Sequence, residues 1–388
     1  MLAILAPIFV FGIVVFVHEL GHFLAAKAVG VYTPRFSIGF GKALWKKRYG
    51  ETEYVLAMLP LGGYVRMASK DDEATAFMEG GSENAVTELA TKGEPIDPDA
   101  MIPFGPKPIP PDRWFESKPL AARLMILLAG VTMNIILSLV VMTGMFAHYG
   151  NPYLTTKADS LLADRPGAMA GMMTGDSVVS IDGVAVDWEG LVTKVSASPG
   201  VALRFGILRE GQPREITVTP TADTITNPST GNVDRVGRIG IVPVQQSRPV
   251  GPIEAVSSGW TATWRMAGMV VDALEGLATR RVAASELGGP IMIAQASVQA
   301  ARGGGEQLFF LIALISTNLA VFNLLPIPIL DGGQIVIALL EGIKGKAFSI
   351  RTREYILRAG LAAVLLLFAL VTYNDLRRLV ESVVQKLG

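Results

Sequence analysis

The chain contains no cysteine. That excludes disulfides and thiolate metal ligands, so any bound metal must be held by histidine and carboxylate. Histidine itself is scarce, with three in 388 residues. Charge is sparse as well: Asp, Glu, Lys and Arg make up 18% of the chain and the formal net charge is zero. This balance gives no reason to expect nucleic acid as a partner. Hydrophobic residues, in contrast, reach 50%, above the usual share of a soluble domain. The N-terminal Met1-Leu2-Ala3 lacks the basic region of a cleavable signal peptide, so the apolar run that follows is expected to stay as a membrane helix.

Four segments are long and apolar enough to span a bilayer: 2–29, 120–147, 308–340 (interrupted by prolines) and 356–373. Basic residues orient them. Arg35, Lys42, Lys46, Lys47 and Arg48 follow the first span, and Lys344, Lys346, Arg351, Arg353 and Arg358 lie between the third and fourth. Both loops are therefore expected inside, with the N-terminus and residues 150–300 outside; Arg377 and Arg378 after the fourth span run against this rule. Residues 31–67 read as strands and turns, with a turn at Gly62-Gly63, and 69–112, rich in Gly, Pro and acid, as a polar surface loop or a partly disordered insertion. Outside, 153–244 reads as a small α+β unit with a helix near 187–196 and a hairpin across Arg209-Glu210-Gly211-Gln212, while 222–236 reads as a loop. Residues 252–305 look amphipathic and helical, with Trp260 and Trp264 suited to a membrane interface.

Two of the three histidines fall in His18-Glu19-Leu20-Gly21-His22, an HExxH pentapeptide. On a helix, residues i and i+4 share a face, so both imidazoles can reach one zinc ion while Glu19 serves its water. Leu2–Val17 without a charge would carry His18 roughly 24 Å into a core about 30 Å thick. Ionisable residues at such depth cost about 2–3 kcal/mol each and are functional by default.

A catalytic zinc typically takes three protein ligands. His148 stands at the outer end of the second span, the wrong depth, and reads as interfacial. The remaining candidate is Asp331 in Asn323-Leu324-Leu325-Pro326-Ile327-Pro328-Ile329-Leu330-Asp331-Gly332-Gly333. Spans one and three run in the same direction, so their late positions meet at one depth. Asp331 can equally cap the helix that restarts after the break, and the two roles are compatible. Asn323 is placed to donate to a developing oxyanion; Asn318 and Asn134 read more readily as structural, Asn134 as a helix–helix hydrogen bond. The stretch Gly62-Gly63-Tyr64-Val65 is a candidate to hold an unwound substrate as an added strand, with a plain structural hairpin as the alternative.

His18–His22, Gly39-Phe40-Gly41, Leu59-Pro60-Leu61-Gly62-Gly63-Tyr64-Val65, Ala129–Asn134, Gly288-Gly289-Pro290-Ile291 and 323–333 together resemble the site-2 protease family of intramembrane zinc metalloproteases, of the bacterial RseP type. The resemblance covers most of the chain apart from 69–112 and 222–236. It implies zinc held by His18, His22 and Asp331, Glu19 as catalytic base, and Asn323 in catalysis or substrate handling. It implies a multi-pass α-helical membrane protein of the bacterial inner membrane, with four transmembrane helices, a membrane-associated β-hairpin region and an inserted α+β PDZ-like extracytoplasmic domain. The segments are then helix one (1–29), β-region and polar loop (30–119), helix two (120–149), PDZ-like domain (153–244), amphipathic helices (250–305), broken third segment (306–345) and helix four (354–375). The implied substrates are single-span membrane proteins already trimmed by a site-1 protease, of the anti-sigma factor type, or signal-peptide remnants. The chain departs from the best-known enterobacterial member in having one PDZ-like unit, and it shows no clear carboxylate-binding glycine loop around Arg165-Pro166-Gly167-Ala168. Rival readings are a catalytically inactive membrane-anchored PDZ binding protein and a transporter; a transporter needs paired broken helices in two halves, and only one broken helix is legible.

Overall fold

The computed structural model describes residues 2–69, 109–226, 233–283 and 288–387. In chain order the elements are α1 (Leu2–Ala28), β1 (Arg35–Tyr49), β2 (Thr52–Arg66), α2 (Leu120–Tyr149), β3 (Asn151–Leu161), α3 (Pro166–Met169), β4 (Ser177–Ile181), β5 (Val184–Ala185) and α4 (Trp188–Ser196). They continue as β6 (Leu203–Arg209), β7 (Gln212–Val218), β8 (Thr221–Thr226), β9 (Val233–Arg238), β10 (Ile241–Arg248), α5 (Pro252–Ala278), α6 (Pro290–Gly303), α7 (Gly305–Asn323), α8 (Asp331–Lys344) and α9 (Ile350–Leu387). The chain divides into a first unit of 1–145, 259–271 and 283–388, and a second of 146–258 and 272–282.

Among the described residues, four helices of the first unit are long and apolar enough to cross a membrane: α1, α2, α7 and α9. At most a third of each apolar window is buried, which leaves the outer faces for lipid; the chain is a membrane protein. On α1 the inward stripe is Ala6, Val10, Val14, His18, His22 and Ala26, all buried. Four-residue spacing keeps one face turned inward, so the two histidines continue a packing stripe rather than face lipid. Val10 and Val14 pack on Ile312 of α7 and on Leu137 and Val141 of α2. Helices approach closely where residues are small: a Cβ at Gly21 would lie 2.4 Å from the Ala129 carbonyl oxygen.

The third crossing breaks at 324–330, as the prolines suggested. Its backbone turns are satisfied locally, with Leu325 N–H on the Phe322 carbonyl at 3.0 Å and Leu330 N–H on Ile327 at 2.8 Å. The break folds back on α8 so tightly that a Cβ at Gly332 or Gly333 would meet the Leu324 or Ile327 carbonyl oxygen at 2.2 or 2.1 Å. Only glycine fits there. At the far end of α8, buried Glu341 accepts from Arg123 of α2 (3.1 Å) and from Arg353 of α9 (2.8 Å). Removing one partner of such a buried pair costs about 3–5 kcal/mol; the pairs fix the helix that begins with Asp331. The Gly288-Gly289-Pro290-Ile291 motif also gains a physical reading. Buried Asp375 of α9 accepts the backbone N–H groups of Gly289, Ile291 and Met292 at 2.9–3.0 Å, satisfying the orphan donors at the start of α6.

Strands β1 and β2 bend on themselves, so residues 35–38 pair on one side with 53–56 and on the other with 63–66. The expected Gly62-Gly63 turn is instead a kink inside β2, with Gly62 at φ +118°. Phe36 and Val65 from this sheet pack on Phe23 of α1, which fastens the strand at 63–66 to the HExxH helix.

The second unit is a sheet of order β10-β3-β4-β6-β7, with β5 beside β4. Leu191 and Val195 of α4 pack on Phe205, Ile207, Val178 and Ile181, each side chain contributing about 1.5–3 kcal/mol by burial. The expected helix and hairpin stand, with Asp187 capping α4 and Glu210-Gly211 turning at positive φ. The loop expected over 222–236 is corrected at its two ends, where Thr221–Thr226 and Val233–Arg238 pair antiparallel, β8 being rich in the β-branched residues that favour extended backbone; residues 227–232 lie outside the described residues. The polar loop expected over 69–112 lies mostly outside the described residues.

Asp176 is buried beside Arg209 at 2.8 Å, and the guanidinium holds its carboxyl below the ordinary value of 3.8. A folded-state pKa below the unfolded one stabilises above the unfolded pKa and is lost as pH falls through the folded one. Hydrogen-exchange protection factors at β4 and β6 amides in the full chain, with the intrinsic pH dependence of exchange divided out, are therefore expected to fall below pH ~4. Asp176→Asn should lower protection at neutral pH and flatten that acid-side loss.

Candidate metal centre

Three ligand-type atoms converge at the end of the α1 stripe. His18 Nε2 and His22 Nε2 are 3.2 Å apart. Asp331 Oδ2 lies 3.4 Å from the first, and Oδ1 lies 3.4 Å from the second. A tetrahedral zinc with bonds of 2.0–2.1 Å requires ligand atoms about 3.3–3.4 Å apart. His22 Nδ1 lies 2.8 Å from the Ile126 carbonyl oxygen; a carbonyl only accepts, so the proton is on Nδ1 and the Nε2 lone pair points into the triangle. Asp331 Oδ2 is buried with no hydrogen-bond partner. A lone pair, a second imidazole nitrogen and a carboxylate facing one another at this range fit a cation, and the donor set fits zinc. Among the described residues, His18, His22 and Asp331 form the one such cluster.

Glu19 stands one residue off this stripe, half-buried, on the wall of a cavity of about 400 Å³ that His18, His22 and Asp331 also line. Its carboxylate accepts the Val65 backbone N–H. That bond shows which edge of strand 63–66 faces the site. Alternate residues of a strand direct their backbone groups to the same side, so Gly63 presents its N–H and C=O there too. A Cβ at Gly63 would come within 3.6 Å of Glu19 Cγ and 2.7 Å of the Ser37 carbonyl oxygen. Tyr64 points to the other face, stacked on Phe40 with ring centroids 6.0 Å apart. Phe40 in turn fills the space of a side chain at Gly62, where a Cβ would meet it at 2.6 Å.

Asn323, at the end of α7, places Nδ2 3.3 Å from His18 Nε2 and lines the cavity. Asp331 is the first residue of α8, after Leu330 at the N-cap position, and its carboxylate turns to the histidines. Asn318 has a buried Oδ1 without a partner and is not among the cavity-lining residues. His148 meets Tyr149 edge-on. Sequence reasoning missed Gln334, which lines the cavity and bonds the Pro328 carbonyl at 2.7 Å. It also missed the α2 face opposite the imidazoles. There a Cβ at Gly130 would sit 2.3 Å from His22 Nε2 and 2.7 Å from His18 Cε1, and Asn134 Nδ2 lies 3.2 Å from His18 Nδ1. Asn134 does bridge two helices, as expected, and its partner is His18 of the cluster.

A two-histidine, one-carboxylate cluster with a glutamate beside it is the arrangement of metallopeptidases, here formed between the membrane-length helix α1 and the start of α8. Residues 6–367 match the model of peptidase family M50. The chain belongs to that family and is a zinc metalloprotease. It is 30% identical over 421 residues to the zinc metalloprotease RasP of Geobacillus kaustophilus, covering 97% of this chain and 98% of that protein. It is also 30% identical over 424 residues to the regulator of sigma-W protease RasP of Bacillus subtilis, with the same shares covered. A putative zinc metalloprotease of Mesorhizobium japonicum is 35% identical over 378 residues, 95% of this chain and 97% of the relative.

Proposed function

We propose that this enzyme hydrolyses peptide bonds inside the bilayer, within the membrane segments of single-span proteins that another protease has already trimmed. The observation that carries this is the meeting of His18, His22 and Asp331, beside Glu19 and a strand edge, among helices of membrane length. The name of the Bacillus subtilis relative, a regulator of sigma-W protease, supports anti-sigma-type substrates; signal-peptide remnants fit the same chemistry. The proposed location is the bacterial inner membrane. The second unit then lies on the extracytoplasmic side as a PDZ-like module that binds or size-filters substrates before they reach the helices. The alternative, an inactive PDZ anchor, is not favoured, because the ligand set and its adjacent base are intact.

His18, His22 and Asp331 would hold the zinc. When bound, it supplies Lewis-acid polarisation of the scissile carbonyl and lowers the pKa of water towards 7. A substrate helix shields its own amides, so it must unwind first; the edge at Gly62-Gly63-Tyr64-Val65 takes it up as an added strand, the Gly63 backbone groups pairing with it. Glu19 removes a proton from the attacking water and delivers it to the leaving amine nitrogen, so water and one amide bond become a carboxyl and an amine. Asn323 donates from its amide to the oxygen that gains charge as the carbonyl is attacked.

Reconstitution in proteoliposomes with a single-span substrate, with or without its external domain, tests the reading. Cleavage is expected within the membrane segment of the trimmed form only, and Asp331→Ala should abolish both cleavage and bound zinc. Cutting confined to the aqueous part of the substrate, or full activity in Asp331→Ala, would defeat it.

A further inference from the structure

The two imidazoles are held differently on their far sides. His22 Nδ1 meets the Ile126 carbonyl, whose polarity leaves no choice of tautomer. His18 Nδ1 meets the side chain of Asn134 at 3.2 Å, and an amide can face it with either end. Ile126, Gly130 and Asn134 stand four residues apart on α2, so one helix face supplies an acceptor, a gap and an amide in register with His22 and His18. Asn134 is fully buried. Ser316 Oγ donates to its backbone carbonyl at 2.8 Å, and its Oδ1 has no hydrogen-bond partner. Oxygen and nitrogen of an amide are assigned from the hydrogen-bond network. With nitrogen towards His18 Nδ1, the imidazole proton would sit on Nε2 and point into the ligand triangle. With oxygen there, Nδ1–H has an acceptor and Nε2 keeps its lone pair, while the position without a partner passes to the amide nitrogen.

We propose that Asn134 is a positioning residue: its amide oxygen accepts Nδ1–H of His18 and fixes the tautomer and ring plane that present Nε2 to the metal. Residues that accept the second N–H of a ligating histidine typically change metal affinity 10–100-fold when removed. The proposal rests on His18, His22 and Asp331 being the zinc ligands, and it concerns the free ring nitrogen of only one of them. Gly130 belongs to the same device, as the gap that lets both rings reach their acceptors.

Zinc affinity of the purified full chain, measured by competition with a chelator, tests it in five proteins. Asn134→Leu keeps the volume and removes the acceptor; it should bind zinc roughly 10–100-fold more weakly. Asn134→Asp restores an acceptor of greater basicity and should bind at least as tightly as wild type. Ser316→Ala cuts the bond to the backbone carbonyl of residue 134 without touching the imidazole, and should match wild type. His22→Ala should lose stoichiometric zinc. If it does and Asn134→Leu retains wild-type affinity, the positioning role is wrong while the ligand reading stands. Equal weakening in Asn134→Leu and Ser316→Ala would assign the effect to packing and also overturn it. Should Asn134→Leu fail to fold, Asn134→Asp decides alone, since weaker zinc binding there contradicts an acceptor role. Zinc retained in His22→Ala would instead remove the ligand reading beneath it.

Discussion

Replacing Glu19 by Gln is expected to cut the rate of peptide cleavage about 10²–10⁴-fold while zinc content stays at wild-type level. That factor corresponds to about 3–5 kcal/mol of lost transition-state stabilisation. The separation of the two readouts follows from geometry. Glu19 is not part of the His18, His22 and Asp331 cluster, and its structural bond, the Val65 N–H, can be accepted by the amide oxygen of Gln. The strand edge and the centre therefore keep their places, and only the ability to take up and return a proton is lost. Cleavage of a trimmed substrate in proteoliposomes, with zinc measured on the same sample, checks this. Equal processing by both proteins would remove Glu19 from the chemistry, and loss of zinc would make it a ligand instead.

Adding one methyl group at Gly130 should do comparable damage from outside the HExxH motif. The new Cβ would stand 2.3 Å from His22 Nε2 and 2.7 Å from His18 Cε1, well inside contact distance, so either the rings turn or α1 and α2 part. Parting would also stretch the bond of His22 to Ile126. Overpacking of this kind costs about 1–3 kcal/mol of stability, and a misplacement of 1 Å at reacting groups can cost 10²-fold in rate. Gly130→Ala is expected to weaken zinc binding and to lower activity at least 10²-fold. Gly144 lies on the same helix with nothing within 4 Å of a built Cβ. Gly144→Ala should leave activity unchanged and add about 0.5–1 kcal/mol through helix propensity. Wild-type zinc affinity and cleavage in Gly130→Ala would mean that the helices meet differently.

The parts of this protein that were legible in advance are those set by covalent spacing. A membrane-length apolar run must be helical, because only then is its backbone satisfied within itself, and HExxH on that helix puts two imidazoles on one face. Absence of cysteine left a carboxylate as the remaining ligand type, and the proline-broken third segment offered Asp331. The β-region and the strand-rich unit were visible as alternating patterns. The pairing of β8 with β9 was not, since the polar composition of these strands imitates a loop and each shows as a strand only beside the other. The kink at Gly62 was hidden because Gly-Gly reads as a turn until Phe40 is seen to occupy the missing side chain's place.

The chain's own order of residues thus determined the class of chemistry, the membrane setting and the identity of the ligand types. Tertiary structure alone decided which α2 residues serve the histidines, which strand edge borders Glu19, and how Glu341 and Asp375 fasten α8 and α6. These depend on the rotation of one helix against another and on strand register. A residue's neighbours across such a contact leave no periodic trace in sequence, because the distance is closed through space and not along the backbone.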